Sequence, residues 1–107
     1  MSEIVSLDDE YQAEIVVERG EIFALDVPEP VASGYRVSGA SFDPAMFRME
    51  RYLAYDADGG PRIRYLFTAL ADGASDVNVK MRPAAGGRED VYRTVHVVVG
   101  GESGLLF

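Results

Sequence analysis

Residues 76–99 read DVNVKMRPAAGGREDVYRTVHVVV, and this stretch decides the fold. Both its beginning and its end alternate apolar and polar side chains, which places every second side chain on the same face of a β-strand. Between the two parts, Pro83 cannot donate a hydrogen bond to a neighbouring strand, and Gly86-Gly87 allows the chain to turn back. The pattern predicts two strands joined by a displayed loop, with the Arg82 guanidinium leaving the sheet at its end rather than its face.

The rest of the chain continues this pattern of short strands. Turn signals rich in glycine, proline and aspartate separate the runs, and their close spacing favours a β-sandwich or barrel over βαβ units, which need helical crossovers. We therefore predict an all-β sandwich of seven to eight antiparallel strands. The further strand-like runs are Ala13–Val17, Glu21–Asp26, Tyr35–Ser38, Phe47–Tyr55 and Arg62–Leu70, with a weaker candidate at Glu3–Leu7.

One segment, Asp43–Arg51, competes as a helix, because Asp43-Pro44 resembles a helix N-cap followed by proline at the first helical position. The alternation that follows favours a single turn feeding a strand. That strand is predicted to carry five side chains on one face: Phe47, Met49, Arg51, Leu53 and Tyr55.

The composition fits a single domain over residues 1–107, because 107 residues with 48% hydrophobic side chains suffice for one core. Residues 1–10 and 100–107 are expected as flexible ends, with Leu105-Leu106-Phe107 docking on the sandwich. The net charge of −8 disfavours nucleic acid as a partner, since it repels phosphates. The absence of cysteine excludes disulfides, thiolate metal sites and cysteine nucleophiles.

The start of the chain is acidic and lacks the basic and apolar regions of a secretory signal. For the chain as given we expect a cytoplasmic protein, or a periplasmic or secreted one if a signal peptide was removed. No apolar run approaches the roughly 20 residues that span a bilayer, so no membrane association is expected. We expect a monomer.

Catalytic chemistry has little support in the sequence. His96 is the single histidine and lies within a predicted strand, where a hydrogen-bonded structural histidine is the commoner reading. Asp56-Ala57-Asp58-Gly59 resembles part of a calcium loop, but the later carboxylate of such a loop is missing and a hairpin turn is favoured. Asp8-Asp9-Glu10 is interpreted as a solvated strand entry. We predict no enzyme activity, catalytic residue, metal site or cofactor.

Binding residues usually lie on loops that a rigid scaffold presents, and three loops stand out here. The first contains Pro30-Val31-Ala32-Ser33-Gly34-Tyr35, the second Gly59-Gly60, and the third Met81-Arg82-Pro83-Ala84. In their order and spacing they resemble the loops of chagasin-type inhibitors of papain-family cysteine peptidases. The resemblance extends from about Ala13 to Val99.

The family's first loop reads Asn-Pro-Thr-Thr-Gly followed by an aromatic residue, its second is glycine-rich, and its third is Arg-Pro followed by an aromatic residue. Ser33, Gly34, Gly59-Gly60 and Arg82-Pro83 match this pattern, and Tyr35 is conservative. In the first loop, proline, valine and alanine at 30–32 replace asparagine, proline and threonine, and Ala84 replaces the aromatic residue of the third loop.

The resemblance implies an immunoglobulin-like fold and a reversible competitive inhibitor that inserts the three loops into the active-site cleft of a papain-family peptidase. The implied peptidase-binding residues are Pro30, Val31, Ala32, Ser33, Gly34, Tyr35, Gly59, Gly60, Arg82, Pro83 and Ala84. Two alternatives stay open. One is an immunoglobulin-like interaction domain with a retuned loop edge and no peptidase inhibition; the other is a carbohydrate- or peptide-binding module built on Tyr52, Tyr55 and Tyr65.

Overall fold

The computed structural model describes residues 3–100 of the chain. It contains eight strands and one 3-10 turn: β1 (Glu3–Ser6), β2 (Gln12–Val17), β3 (Ile22–Pro28), the turn Val31–Ser33, β4 (Tyr35–Ser41), β5 (Phe47–Ala57), β6 (Gly60–Ala69), β7 (Gly73–Pro83) and β8 (Asp90–Val99). The predictions for residues 101–107, including the docking of Leu105-Leu106-Phe107, lie outside the described residues.

The strands form two four-stranded sheets, which we call sheet A, with the order β1-β3-β6-β5, and sheet B, with the order β2-β8-β7-β4. This arrangement confirms the predicted immunoglobulin-like β-sandwich. It differs in one respect, because β1 pairs with β3 in parallel and β2 pairs with β8 in parallel. The chain crosses from sheet A to sheet B between β1 and β2, so each of these strands joins a sheet edge without a hairpin.

The β7–β8 hairpin lies within sheet B and confirms the alternation at 76–99. Val77 lies opposite Val95 and Val79 opposite Arg93, and these inward side chains are buried. Strand β7 runs from Gly73 to Pro83 and is therefore longer than the alternation indicates at both ends.

The predicted face of β5 is wrong beyond Glu50. The register shifts between Met49, opposite Phe67, and Arg51, opposite Leu66, which leaves Glu50 as an extra residue. Such a β-bulge exchanges the two faces of a strand, because two residues on one strand then oppose one on its neighbour. As a result Tyr52 shares the inner face of Tyr65, whereas Leu53 and Tyr55 point outward beside Arg64 and Arg62.

Aromatic rings at one end of the sandwich fill much of the core. Phe23 and Phe67 stack with ring centroids 5.4 Å apart, and Phe47 packs edge-on against Phe23. Phe42, from the connection between β4 and β5, packs edge-on against Phe67 at 5.2 Å. Rings in these arrangements bury a large apolar area and attract one another through their quadrupoles. Leu7, which follows β1, is also buried.

The segment before β5 forms the single turn expected from Asp43-Pro44. The Asp43 carboxylate accepts a hydrogen bond from the backbone N–H of Ala45 at 2.9 Å. The backbone carbonyl of Asp43 accepts hydrogen bonds from the backbone N–H groups of Met46 and Phe47. The chain then enters β5 directly. Among residues 3–100, no helix is long and apolar enough to cross a membrane.

A buried carboxylate joins three strands on the outer face of sheet A. Asp26 of β3 accepts hydrogen bonds from the guanidinium Nε atoms of Arg62, at 2.5 Å, and Arg64, at 2.8 Å. It also accepts a bond from the Tyr55 hydroxyl at 2.5 Å. Arg62 extends the network to the carboxylate of Asp8, which its Nη1 contacts at 2.8 Å. The network links β3, β5 and β6.

Candidate functional site

The strand register brings the three predicted loops to one end of the sandwich. Pro28, at the end of β3, lies opposite Arg62 near the start of β6, so the first loop lies beside the β5–β6 hairpin. Tyr35, at the start of β4, lies opposite Pro83 at the end of β7, so the first loop also lies beside the β7–β8 connection. We call this group of loops the loop edge, comprising residues 29–35, 58–61 and 82–89.

Backbone hydrogen bonds join the three loops directly. The N–H of Glu29 donates to the carbonyl of Pro61 at 2.9 Å, which connects the first loop to the second. The N–H of Ala84 donates to the carbonyl of Gly34 at 2.9 Å, which connects the third loop to the first. The first loop is therefore central, and the loop edge is one hydrogen-bonded unit.

The first loop is a compact turn held by its own backbone. The N–H groups of Ser33 and Tyr35 both donate to the carbonyl of Pro30 at 3.1 Å, and that of Gly34 donates to Val31 at 3.0 Å. Gly34 ends the 3-10 turn with φ of 81°, in the left-handed region that favours glycine. The turn therefore needs a residue with a positive φ at position 34, and glycine meets this need.

Two side chains from the body of the sandwich brace the first loop. The Glu29 carboxylate accepts a hydrogen bond from the backbone N–H of Val37 in β4 at 2.7 Å, which spans the base of the loop. From β8, the Tyr92 hydroxyl donates to the carbonyl of Pro28 at 2.6 Å. The sequence gives no local signal for either contact, because both partners lie on other elements.

The exposed part of the first loop consists of Val31, Ala32, Ser33 and Gly34, whereas Pro30 and Tyr35 are half-buried at its base. Val31 is an aliphatic side chain that is 50% exposed. An apolar side chain presented on a fixed backbone is a feature of contact surfaces.

The second loop is shorter than the glycine pair suggests. Ala57 of β5 pairs with Gly60 of β6, so Asp58 and Gly59 alone form the hairpin turn. This geometry confirms the turn interpretation of Asp56-Ala57-Asp58-Gly59. Gly59 is exposed, and Gly60, with φ of 125°, is half-buried as the first residue of its strand.

The prediction for Arg82 is wrong, because this residue lies within β7 and not beyond the sheet. Arg82 pairs opposite Arg36 of β4, and both side chains are exposed between inward-facing neighbours, so they lie on the outer face of sheet B. The Arg82 guanidinium lies 3.7 Å from the Glu89 carboxylate, which also accepts a hydrogen bond from the Ser38 hydroxyl. Pro83 ends β7, and Ala84 is exposed beside the first loop.

A groove beside the first loop combines Tyr35 and Met81 with residues that the sequence did not single out. It has a volume of about 470 Å³ and is lined by Tyr11, Tyr35, Met81, Val91 and Arg93, together with residues of the first loop. Arg93 occupies an inward position in the alternation of β8, and a charged residue at such a position is the signal that could have drawn attention to this groove.

The remaining candidates lie elsewhere or do not assemble. Within sheet B, His96 lies opposite Asp76, and the His96 Nδ1 lies 2.7 Å from the Asp76 carboxylate. The tyrosine surface is not formed: Tyr65 is buried, and Tyr52 and Tyr55 point to opposite faces of β5. In residues 3–100, no group of three or more histidine, cysteine or acidic side chains is placed to hold a metal ion.

Comparison with known proteins places this geometry in a structural context. No family model matches the chain, and no curated protein sequence matches it. The cysteine protease inhibitor EhICP2 from Entamoeba histolytica superposes with a TM-score of 0.67 at 12% identity, over 91% of this chain and 95% of that protein. Amebosin superposes with a TM-score of 0.64 at 14% identity, over 92% of this chain and 99% of its own. The chain therefore shares its fold with EhICP2 and amebosin, as its resemblance to the chagasin type predicts.

Proposed function

We propose that this protein is a reversible competitive inhibitor of papain-like cysteine peptidases and that it inserts the loop edge into the active-site cleft. The observation that carries the proposal is the joining of all three loops by the backbone bonds from Glu29 to Pro61 and from Ala84 to Gly34. The shared fold with EhICP2, which is a cysteine protease inhibitor, supports the same function.

The loop edge is organised before any partner arrives. The compact turn at Val31–Ser33, the Glu29 carboxylate and the Tyr92 hydroxyl all restrict the first loop. A loop that is already ordered loses little conformational entropy on docking, so more of the contact energy contributes to affinity. In this proposal Val31, Ala32 and Ser33 enter the cleft, while Gly59 and Ala84 contact its two sides.

The proposal is tested with papain and a fluorogenic peptide substrate. We expect the purified protein to raise KM without changing kcat, because a competitive inhibitor and the substrate exclude one another. Val31→Asp introduces a charge at the exposed first loop and is expected to weaken inhibition at least about tenfold, which corresponds to ~1.4 kcal/mol.

The matched control is Val16→Asp, because Val16 is an equally exposed valine on β2 whose partner Val98 lies near the far end of β8. This variant is expected to inhibit like the unmodified protein. Absence of inhibition of any papain-like peptidase in a panel, with folded protein at tens of micromolar, would contradict the proposal.

A second candidate is an interaction domain whose loop edge binds a different protein. The third loop favours it, because Ala84 presents only a methyl group and the Arg82 guanidinium lies by Glu89 on the outer face of sheet B. Aromatic side chains are the commonest hot spots of interfaces, so an alanine at position 84 changes what the third loop can contact. Binding to a non-peptidase partner that both Tyr35→Ala and Arg82→Ala abolish, without peptidase inhibition, would establish this function.

A further inference from the structure

The groove beside the first loop has a buried cation at its base. Arg93 is 6% exposed, and its guanidinium carbon lies 4.7 Å from the ring centre of Tyr11 and 4.2 Å from that of Tyr92. Guanidinium groups interact favourably with aromatic faces, so the two rings help to hold the cation in place. The groove therefore presents an oriented guanidinium.

No carboxylate forms an ion pair with Arg93 in residues 3–100. The Arg93 Nη1 donates to the carbonyl of Tyr92 at 3.0 Å and its Nη2 donates to the carbonyl of Asp8 at 2.7 Å. Both acceptors are backbone oxygens. The Nε, which is fully buried, has no hydrogen-bond partner in the described part of the chain. Buried arginines are usually paired with an acid, so a cation without one is unusual.

Two acidic residues that border the Arg93 site already have other partners. The Asp8 carboxylate contacts Arg62 at 2.8 Å and leaves only its backbone carbonyl for Arg93. The Glu29 carboxylate, on the wall of the groove, accepts the hydrogen bond from Val37. Neither carboxylate forms a direct ion pair with Arg93.

We infer that the groove binds the free carboxylate of a peptide whose C-terminal residue is aromatic or aliphatic. A carboxylate accepts hydrogen bonds from a planar guanidinium with matching geometry. Among the described residues, Arg93 is the only basic one that lines the groove, and the chain has a net charge of −8, so a single negative charge is favoured over a phosphate.

The side chains that line the groove determine the chemistry of the rest of the ligand. Tyr11, Tyr35, Met81 and Val91 offer aromatic and aliphatic surface, and the volume of about 470 Å³ falls in the range of small-ligand sites. One apolar residue with its terminal carboxylate directed at Arg93 fits both the size and the chemistry. The groove shares Pro30, Ser33 and Tyr35 with the first loop but not the exposed Val31. Binding of the carboxylate is measured without a peptidase, so its failure and the failure of peptidase inhibition are distinguishable.

The experiment titrates two probes into the 107-residue chain and follows backbone amide signals by NMR. N-acetyl-phenylalanine carries the carboxylate. N-acetyl-phenylalanine amide has the same ring and acetylated backbone but carries no charge. We expect the acid to shift the signals of Ser33, Val91 and Tyr92, and the neutral amide to bind at least about tenfold more weakly.

Two tyrosine variants locate the site. Tyr11→Ala removes one wall of the groove and one of the two rings that contact the Arg93 guanidinium. The Tyr11 side chain is 71% exposed, so the fold should tolerate the change. Binding of the acid is expected to weaken at least about fivefold. Tyr52→Ala, at a similarly exposed tyrosine on β5, is the matched control and should bind as the unmodified protein does. Absence of shifts with the acid, equal affinity for both probes, or unchanged binding in the folded Tyr11→Ala variant would each overturn the inference.

Discussion

Asp26 shows how a single carboxylate can hold one face of this molecule together. Its burial raises the pKa of the carboxyl group, but the hydrogen bonds from Tyr55, Arg62 and Arg64 act in the opposite direction and together lower the pKa below its ordinary value. The ionised form is therefore the one that the folded protein stabilises. A group whose pKa is lower in the folded state contributes stability above its unfolded value, about 3.9, and loses it as the pH falls through the folded value.

Replacement of Asp26 by asparagine should accordingly destabilise the protein at neutral pH. We expect Asp26→Asn to lower the free energy of unfolding by ~3 kcal/mol at pH 7, the lower end of the range for removing one partner of a buried ion pair. The difference between the variant and the unmodified protein should shrink as the pH falls below about 4. Urea unfolding at a series of pH values measures both effects.

Asp58→Asn, in an exposed turn, is the control and should change stability by no more than ~0.5 kcal/mol. A stability difference for Asp26→Asn that stays constant from pH 7 to pH 3 would contradict the assignment of the ionised carboxylate as the stabilising form.

Tyr92 carries a contact between β8 and the first loop. Tyr92→Phe keeps the ring that stacks on Arg93 and removes only the hydroxyl that donates to Pro28. We expect a loss of ~1 kcal/mol in stability, as for a typical hydrogen bond, and weaker papain inhibition because the base of the loop is less restrained. Urea unfolding and the inhibition assay test the two effects. An inhibition constant equal to that of the unmodified protein would show that this brace does not organise the loop.

At the scale of elements, the first loop depends on one backbone conformation. Gly34→Ala forces an L-residue to adopt φ of 81°, although a Cβ there meets no atom within 4 Å. We expect this strain to cost ~1 kcal/mol of stability or to shift the loop, and inhibition to weaken in either case. Gly59→Ala is the matched control, because its φ lies outside the left-handed region and its Cβ also meets nothing within 4 Å. Equal stability of the two variants, measured by urea unfolding, would exclude strain at Gly34.

The elements also show which parts of the structure the sequence could predict. Period-two alternation at 76–99 identifies β7 and β8, because burial of one face of a strand follows directly from that pattern. The bulge at Glu50 is not predictable in this way, since an extra residue leaves no local mark and depends on how β5 and β6 fit together. The Arg82 prediction fails for a related reason: where β7 ends is decided by its pairing with β4, not by the proline that follows Arg82.

The candidate site likewise has features that the sequence predicts and features that it does not. The order of the three loops and the glycine at position 34 can be derived from the chain alone, because turn residues act locally. The braces from Glu29 and Tyr92, and the tyrosines around Arg93, join residues far apart in the sequence. Such contacts follow from the register of the sheets, which a single sequence does not specify.

At the scale of the whole molecule, the phenylalanine cluster packs the β4–β5 connection, which joins the two sheets, against sheet A. Phe67 is fully buried, stacks on Phe23 and meets Phe42, which lies in the connection between the sheets. Phe67→Ala is expected to cost about 3–5 kcal/mol, which is a large part of the 5–15 kcal/mol typical of a domain. The measurement is the urea midpoint, and Val16→Ala, at an exposed valine, is the control with an expected change within ~0.5 kcal/mol. A midpoint for Phe67→Ala close to that of the control would mean that the cluster does not support the sandwich.

The parallel pairing of β2 with β8 has a consequence for how the chain reaches its native state. Gln12 lies beside Thr94 and Val17 beside Val99, so an early segment of the polypeptide is held by the last strand. Contacts between distant parts of a chain form slowly, because a long loop must close before they provide any stabilisation. During synthesis, β2 has no partner in its sheet until β8 has left the ribosome. The sandwich is thus completed only after translation has passed Val99, and β2 remains unpaired until then.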